Sequence, residues 1–461
     1  MHRERRCASH PTMHAVNLRN MSEALFSRME PIQTMADGTI KQVNPFSGTE
    51  VWTVPGRGSR PFSVPAVHPA PLSEDDFHYR CAFCDGRELD TPPEKARILP
   101  SGGILRGVPI EEYEQSVPSF RRVPNLFEIV SYDYWRENYG FEMDEETRQR
   151  MESYLADPAG REHVLKTIRT KRAAAKLGDA PEDKLLEQAA GFFAGGHDVI
   201  IAARHFINGA TDDSQLASSG TLSPEEHALF TAFTADAIRD LYERNRYADY
   251  VVAFQNWLAA AGASFDHLHK QVVAIDDRGM ASHREVELQR RYPNMYNEWA
   301  VDYAAKQNLV IAENDHAVLL AGFGHRYPTL EIFSKAKTCE PWLHTNAELT
   351  GVSDLIHAAH TAVGADVPCN EEWHHRPADV ELPQPWRVMI KLRISTLAGF
   401  EGGTKIYINT ISPWDLRDRV VAKLYTARDE RRVAKGIRIA TECLLPRNSL
   451  RYIETLTRSP A

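Results

Sequence analysis

The stretch Gly262-Ala263-Ser264-Phe265-Asp266-His267-Leu268-His269-Lys270-Gln271 sets two histidines and a glutamine at alternate positions behind a turn of small residues. In an extended chain those three side chains share one face, with neighbours roughly 6–7 Å apart. Two imidazoles at that spacing can work side by side: one can hold a metal ion while the other attacks an electrophile. A polar edge strand with incidental histidines has the same spacing, so residues elsewhere must decide between the two readings.

Cys81-Ala82-Phe83-Cys84-Asp85-Gly86 has the form of a metal knuckle, two thiols three positions apart with a glycine just beyond. Such a pair is half of a tetrahedral site and needs two more ligands. His205 closes an apolar, strand-like run from Gly196, and His267 lies on a second strand of the same unit. Either the four make a closed Cys2His2 arrangement, structural in type, with no position left for a reacting water, or they are unrelated residues. In the first case His269 remains free on its face, and a neutral imidazole held in place is a competent nucleophile towards phosphorus. The Gln271 amide can donate to phosphate oxygens but has no part in proton transfer.

Anion-binding candidates lie further off. Arg57 and Arg60 sit three apart in the loop Pro55-Gly56-Arg57-Gly58-Ser59-Arg60-Pro61, where glycines permit close backbone approach and guanidinium groups pair with phosphate; a solvated surface loop would look much the same. Asn125 falls in Arg122–Val130, which reads as a loop entering a strand, and an asparagine there either contacts a ligand or caps a turn. Ala398-Gly399-Phe400-Glu401-Gly402-Gly403 is a glycine-rich loop without the Lys-Ser/Thr of a P-loop.

The elements that must position these residues follow from pattern. Thr49–Val54 alternates as a strand behind the turn Asn44–Gly48. Residues from about 136 to 190 are rich in Arg, Lys, Glu and Ala and read as an inserted helical segment. Ser223-Pro224-Glu225-Glu226 combines an N-cap, a first-turn proline and a capping-box glutamate. Leu229, Phe230, Phe233, Ala237, Ile238 and Leu241 give that helix its apolar face. Tyr250–Asn256 is the strand that returns to the histidines. A similar order recurs downstream, with strands at 308–312 and 317–321, a helix around 347–363, and strands near 386–394 and 405–411; Lys391 and Arg393 stand where the first unit has histidines. Ser412-Pro413-Trp414-Asp415 caps a last helix.

The expected fold class is therefore α+β: two αβ repeats forming a mostly antiparallel sheet flanked by helices, with a helical insertion. Residues 1–34 read as a disordered tail, 35–275 as the first unit with clip, nucleophile and insertion, 276–440 as a degenerate second unit, and 441–461 as a C-terminal tail.

Composition sets the class. The 461 residues are 43% hydrophobic and 25% charged, ordinary for a globular chain with a sizeable core. Lys and Arg number 54 against 63 Asp and Glu, a formal charge of -9, which argues against a general nucleic-acid footprint. No apolar run approaches the ~20 residues of a membrane span, and the N-terminal residues lack the apolar centre of a secretory signal. Cys7, Cys81, Cys84, Cys339, Cys369 and Cys443 are too sparse for a disulfide scaffold, which suits a reduced, cytoplasmic setting.

In this order the motifs resemble the galactose-1-phosphate uridylyltransferase family of the histidine-triad superfamily, which includes members similar to ADP-glucose phosphorylase. The resemblance runs through Asn44-Pro45 to Arg60-Pro61, Cys81-x-x-Cys84, Asn125-x-Phe127, the His197–His205 strand, Asn256 through Gly262 and Ser264, His267-x-His269-x-Gln271, and Gly399-Phe400-Glu401, covering roughly residues 35–420. It implies one structural zinc ion, Zn2+, on Cys81, Cys84, His205 and His267. His269 would carry a nucleoside monophosphate as a covalent adduct, and Gln271 would stabilise it. Arg57, Arg60, Asn125, Asn256, Gly262 and Ser264 would line the nucleotide and its phosphates, while Phe400 and Glu401 would hold the sugar phosphate. The implied partners are a nucleotide sugar and a sugar phosphate or phosphate, with no nucleic acid and no membrane; a C2 homodimer is common in such families.

The implied reaction is ping-pong nucleotidyl transfer from a nucleotide sugar to a sugar 1-phosphate, as in galactose metabolism. A phosphorylase using inorganic phosphate is the close alternative, and a zinc-stapled binding protein without turnover is the alternative of another class. Many family members have proline before each motif histidine and glycine after the second, where this chain has Asp266, Leu268 and Lys270. Asp266 is shared with dinucleoside polyphosphate phosphorylases, and Lys270 beside the nucleophile either favours a small anion or is an ordinary surface lysine. Lys391 and Arg393 imply that the family's second metal site is lost.

Overall fold

The computed structural model describes residues 30–56 and 69–453. Sixteen strands are found among them: β1 Ile32–Thr34, β2 Ile40–Val43, β3 Glu50–Thr53, β4 Ala96–Ile98, β5 Ile104–Arg106, β6 Phe120–Pro124, β7 His197–Ala202, β8 Tyr250–Trp257, β9 His269–Ile275, β10 Val310–Glu313, β11 Ala317–Ala321, β12 Thr329–Ser334, β13 Cys369–His374, β14 Arg387–Leu392, β15 Ile406–Asn409 and β16 Arg438–Ile439. Twelve of them form one sheet in the order β16-β10-β11-β12-β14-β13-β8-β9-β7-β6-β4-β5. Every pairing in it is antiparallel.

The order reads alike outward from the middle. From the β8–β13 seam, β8-β9-β7-β6 on one side is matched by β13-β14-β12-β11 on the other. In each half a long helix separates the second strand from the third: Pro224–Arg244 lies between β7 and β8, and Asn346–Val363 between β12 and β13. Both helices start with complete capping boxes, Ser223 with Glu226 and Thr345 with Glu348. They pack together on one face of the sheet, where His227 Nδ1 lies 2.7 Å from Ser353 Oγ and His357 Nε2 lies 2.8 Å from the Leu222 carbonyl. The α+β expectation, with a mostly antiparallel sheet flanked by helices, is borne out.

Alternation along β8 shows what each face does. Val251, Ala253, Gln255 and Trp257 are buried under the helices, while Tyr250, Val252, Phe254 and Asn256 are only half-buried on the other face. The helix-covered face is continuous apolar core, built from residues such as Phe230, Phe233, Ile238, Leu355, Ile356, Val388 and Ile390. The half-open face carries polar side chains such as Asn256 beside apolar ones such as Val252 and Phe254.

Between β6 and β7 the chain forms five helices, Tyr132–Tyr139, Glu145–Ala156, Pro158–Ala174, Glu182–Leu186 and Ala190–Ala194. Ser131, Asp144 and Asp157 cap the first three through their side chains. Tyr154, Val164, Leu165, Ile168, Leu185, Phe192 and Phe193 give this segment a core of its own.

A second sheet, in the order β1-β2-β3-β15, ties the N-terminal segment to β15 through the parallel β3–β15 pairing. It docks on the loop after β11, where Gly324 has a φ of +68° and a Cβ would stand 2.1 Å from the Asn44 nitrogen; only glycine permits that approach. Asn44 Nδ2 donates to the Phe323 carbonyl there, and the Gly324 N–H donates to Gln42 Oε1.

Several expectations need correction. The ordered chain starts before residue 35, because Ile32 is buried and β1 pairs with β2 from Ile32↔Gln42. Residues 442–453 fold back: Leu450 and Tyr452 are buried, and Tyr452 Oη donates to the Pro293 carbonyl. The segment around Asn125 is a strand running out into a loop, the reverse of the reading from sequence. Gly399–Thr404 is a short helix, since the Glu401 carboxylate accepts from the Ala398 N–H at its start. β12 and β13 are strands that the sequence reading passed over.

Candidate functional site

β6, β7, β9 and β8 lie side by side, and their register sets the site. Ile201 stands opposite His269 and Val199 opposite Gln271, so these four side chains share the half-open face; Ile200 stands opposite Lys270 on the covered face. Phe254, opposite Gln271, brings Asn256 to the same side two residues further along β8.

His267 lies just before β9, in the bend that leaves the Gly262 turn. Its Nε2 is 2.7 Å from the Ala202 carbonyl, which fixes the proton on Nε2 and leaves Nδ1 as the free lone pair. That Nδ1 is 3.6 Å from Cys81 Sγ and 3.9 Å from Cys84 Sγ. His205 Nδ1 lies 3.6 Å from Cys81 Sγ and 3.3 Å from Cys84 Sγ, and the two sulfurs are 3.7 Å apart. All four ligand atoms fall within 4.8 Å of one another. A tetrahedron with bonds of about 2.3 Å to sulfur has an S···S edge of about 3.8 Å, so the residues fit a four-coordinate ion. Among the described residues this is the cluster that could hold a metal ion.

The electrostatics agree with that use. The Cys84 thiol is drawn well down, first by the Cys81 thiol and then by His205 and His267. Cys81 is pushed up by sharing its proton with Cys84 and by burial. Burial also holds His267 below its ordinary range, in the neutral form a ligand needs.

His269 is buried, and its Nδ1 is 2.7 Å from the His267 carbonyl. The proton therefore sits on Nδ1, and Nε2 carries the lone pair. Burial lowers its pKa, outweighing the hydrogen bond to the His267 carbonyl, which raises it. Phe83, from within the knuckle, packs its ring 5.4 Å from that of His269 and 6.2 Å from that of His267, and Phe265 closes over Phe83 at 4.4 Å. One aromatic side chain thus joins the clip to the free imidazole.

Gln271 is held by His197, which the sequence reading did not assign, and by Asn125, which it gave to the nucleotide. The Gln271 Oε1 is 2.9 Å from His197 Nε2 and accepts from Asn125 Nδ2 at 3.3 Å. His197 was singled out only as the start of a strand; its parity with Val199 and Ile201 was the available signal. Asn125 turns the loop through its Oδ1, which accepts from the Phe127 N–H. Asn256 Oδ1 accepts from Asn370 Nδ2 across the seam, and the same Asn370 amide reaches the Ala261 carbonyl. Gly262 ends the turn with a φ of +89°, a conformation that favours glycine, and Ser264 is exposed beyond it.

Other candidates are placed elsewhere. Phe400 packs against Trp52, 6.4 Å between rings, beside the small sheet, and Glu401 caps its own helix; neither has a described contact with His269. Arg57 and Arg60 lie outside the described residues. Lys270 points away from His269 into the core, where Nζ pairs with Glu371 Oε1 at 2.6 Å and lies over the rings of Phe230 and Trp373. It cannot favour an anion at His269, because strand alternation puts it through the sheet. Lys391 pairs with Glu372, and Arg393 Nη1 donates to Asn370 Oδ1. A cavity of about 450 Å³ lined by Lys95, Arg122, Arg150, Asp240 and Arg244 opens on the helix-covered side, away from His269.

Among the described residues, no helix is long and apolar enough to cross a membrane. Comparison with known proteins agrees with the motifs. The chain is 29% identical over 177 residues to ADP-glucose phosphorylase of Arabidopsis thaliana, a stretch covering 36% of this chain and 50% of that enzyme. The chain thus matches half the length of that curated relative. The solved structure of an ADP-glucose phosphorylase from Arabidopsis thaliana with bound ADP-glucose superposes with a TM-score of 0.55 at 20% identity, covering 83% of this chain and 98% of that one. A galt-like protein from Arabidopsis thaliana gives 0.53 at 20% identity over the same shares. The fold is therefore the one those proteins share, and the resemblance drawn from the motifs is borne out. Residues 35–452 match the family described as Domain of unknown function (DUF4921), and the chain belongs to that family.

Proposed function

We propose that this chain is an enzyme that takes a nucleoside monophosphate from a nucleotide sugar onto His269 Nε2 and passes it to a phosphate-bearing acceptor. The observation that carries this reading is the pair of opposite tautomers two residues apart: His267 offers Nδ1 to the Cys81, Cys84 and His205 cluster, while His269 keeps its Nε2 lone pair for attack. In the first half-reaction Nε2 bonds to the α-phosphorus, the bridging P–O bond breaks, and sugar 1-phosphate leaves. In the second, an acceptor oxygen attacks the same phosphorus and the P–N bond breaks. The Gln271 amide donates to the phosphoryl oxygens as charge gathers on them. Zinc, held by Cys81, Cys84, His205 and His267, is structural and keeps the knuckle against the sheet. Cys81 and Cys84 serve as ligands in a reducing compartment such as the cytoplasm.

The matched stretch of ADP-glucose phosphorylase favours an adenine nucleotide sugar as donor and inorganic phosphate as acceptor. Transfer to a sugar 1-phosphate is the second reading, supported by the resemblance of the His267-x-His269-x-Gln271 and Cys81-x-x-Cys84 motifs.

Intact-mass measurement after mixing with ADP-glucose or UDP-glucose tests the proposal. The chain should gain one AMP or UMP and lose it on addition of phosphate or a sugar 1-phosphate. His269→Ala should abolish both the adduct and turnover while keeping the metal. Turnover by His269→Ala would overturn the mechanism, and a chain that holds metal but takes a nucleotidyl group from neither donor would be a stapled binding protein.

A further inference from the structure

Two nitrogens and one oxygen meet beside His269, and only one arrangement of protons satisfies them. The Ile129 backbone N–H donates to His197 Nδ1 at 3.0 Å. A backbone amide has no alternative orientation, so Nδ1 is the acceptor and the His197 proton lies on Nε2. Asn125 Oδ1 is fixed in the same way by the Phe127 N–H at 2.9 Å, which leaves Nδ2 as the end facing the site. His197 Nε2 and Asn125 Nδ2, 3.0 Å apart, are then both donors and cannot bond to each other. They converge on Gln271 Oε1, at 2.9 and 3.3 Å. With its oxygen held from two sides, the Gln271 amide has one orientation left, with the NH2 turned away from His197.

We propose that His197 is a positioning residue that fixes the Gln271 amide with its NH2 directed at the phosphoryl group on His269. This rests on the function proposed above. His197 acts through Gln271 because it is only 1% exposed, whereas Gln271 is half-buried on the open face. Without it the amide is free to flip, presenting its oxygen to a phosphate oxygen and replacing attraction by repulsion. The two ring nitrogens divide the work: Nδ1 anchors the loop through Ile129, and Nε2 orients the glutamine. Asn125 is the weaker hold, being 3.3 Å from its acceptor.

The experiment is a double-mutant cycle on the rate of nucleotidyl-adduct formation, measured in single turnovers by quenched intact mass with ADP-glucose and UDP-glucose. Removing one preorganised donor to a developing oxyanion costs about 10²–10³-fold, so freeing that donor to flip should cost about 10- to 100-fold in His197→Ala. The loss should appear in the maximal rate, with the donor concentration for half-saturation changed by less than about threefold. His197→Gln, whose amide nitrogen can reach the Nε2 position, should recover most of the rate. His197→Asn, which can replace only the Nδ1 acceptor, should not. In a Gln271→Ala background, His197→Ala should have almost no further effect, since the amide it orients is gone. Metal content should be the same in all variants.

A full additional loss in the Gln271→Ala background would overturn the proposal, as would a His197→Ala rate within twofold of the wild type or equal rescue by Asn and Gln. No adduct on the wild-type chain with either donor would overturn the proposed function and this inference together. An adduct on the wild-type chain that forms independently of His197 would overturn this inference alone.

Discussion

His267 and His269 present opposite nitrogens because each gives a different one to a carbonyl, Nε2 to Ala202 in the first and Nδ1 to His267 itself in the second. The difference is set by backbone position, so no substitution at one can hand its task to the other. Cys84→Ser should lower the metal content of the purified protein from about one ion per chain by at least ~10-fold, because a hydroxyl is a poor substitute for a thiolate and the remaining ligands cannot close a tetrahedron. Metal analysis after desalting checks this, and retention of a full equivalent would show that the cluster is not the site. At this scale the alternation of His267, His269 and Gln271 was legible, as were the knuckle cysteines. The holders of Gln271 were not, because His197 and Asn125 reach it only once β7 pairs with β9, a contact across more than seventy residues. Lys270 was misread for the same reason: Glu371, its partner, is 101 residues away.

At the scale of elements, the seam between β8 and β13 is where the halves meet, and the polar groups buried beneath it hold it together. Burial works against the Glu371 carboxylate, but Lys270 and His360 outweigh it and keep its pKa low; the Trp373 indole N–H also donates to it at 2.6 Å. Lys270→Met removes the cation and leaves that carboxylate short of charge in the core. Loss of one partner of a buried pair costs about 3–5 kcal/mol, and chemical denaturation should read a loss of that order. Lys270→Met with Glu371→Gln should recover part of it, and a single variant within ~1 kcal/mol of the wild type would show that the pair carries little. This network also explains why β13 escaped notice. Cys-Asn-Glu-Glu-Trp-His has no apolar alternation, and its buried positions include Glu371, which a reading by hydropathy sends to the surface. β10, β11, β14 and the long capped helices carried ordinary patterns and were legible.

For the whole molecule, the groups held furthest from their ordinary ionisation set the pH range of stability. Burial pushes the Glu128 carboxyl up to about 7, against the pull of Lys171, and burial with Glu225 raises Asp354 to about 6. A carboxyl raised in the folded state favours folding below its unfolded pKa, and that contribution fades as pH rises through the folded value. Burial lowers His357 to about 4 and His375 to about 3, so their contribution is present above about 6.5 and fades as pH falls towards those values. Glu128→Gln should therefore match the wild type near pH 4 and exceed it by up to about 3 kcal/mol near pH 8. Thermal melts at the two values check this, and an equal difference at both would refute it. The chain's overall plan was legible as two αβ units, but its limits were not, since β1 and the Leu450–Tyr452 segment are held by residues such as Tyr303 and Asn297 far away in sequence. The Cys2His2 cluster also has a meaning for the order of folding. Its two thiols are neighbours in the unfolded chain, but they lie 124 and 186 residues from the imidazoles, loops whose closure costs roughly 4–5 kcal/mol of chain entropy. β7 and β9 must pair before both imidazoles stand together, so four-coordinate binding is possible only on a chain whose sheet has already formed. An ion bound there would thus be a late lock: once in place, the knuckle could not peel from the sheet without giving it up.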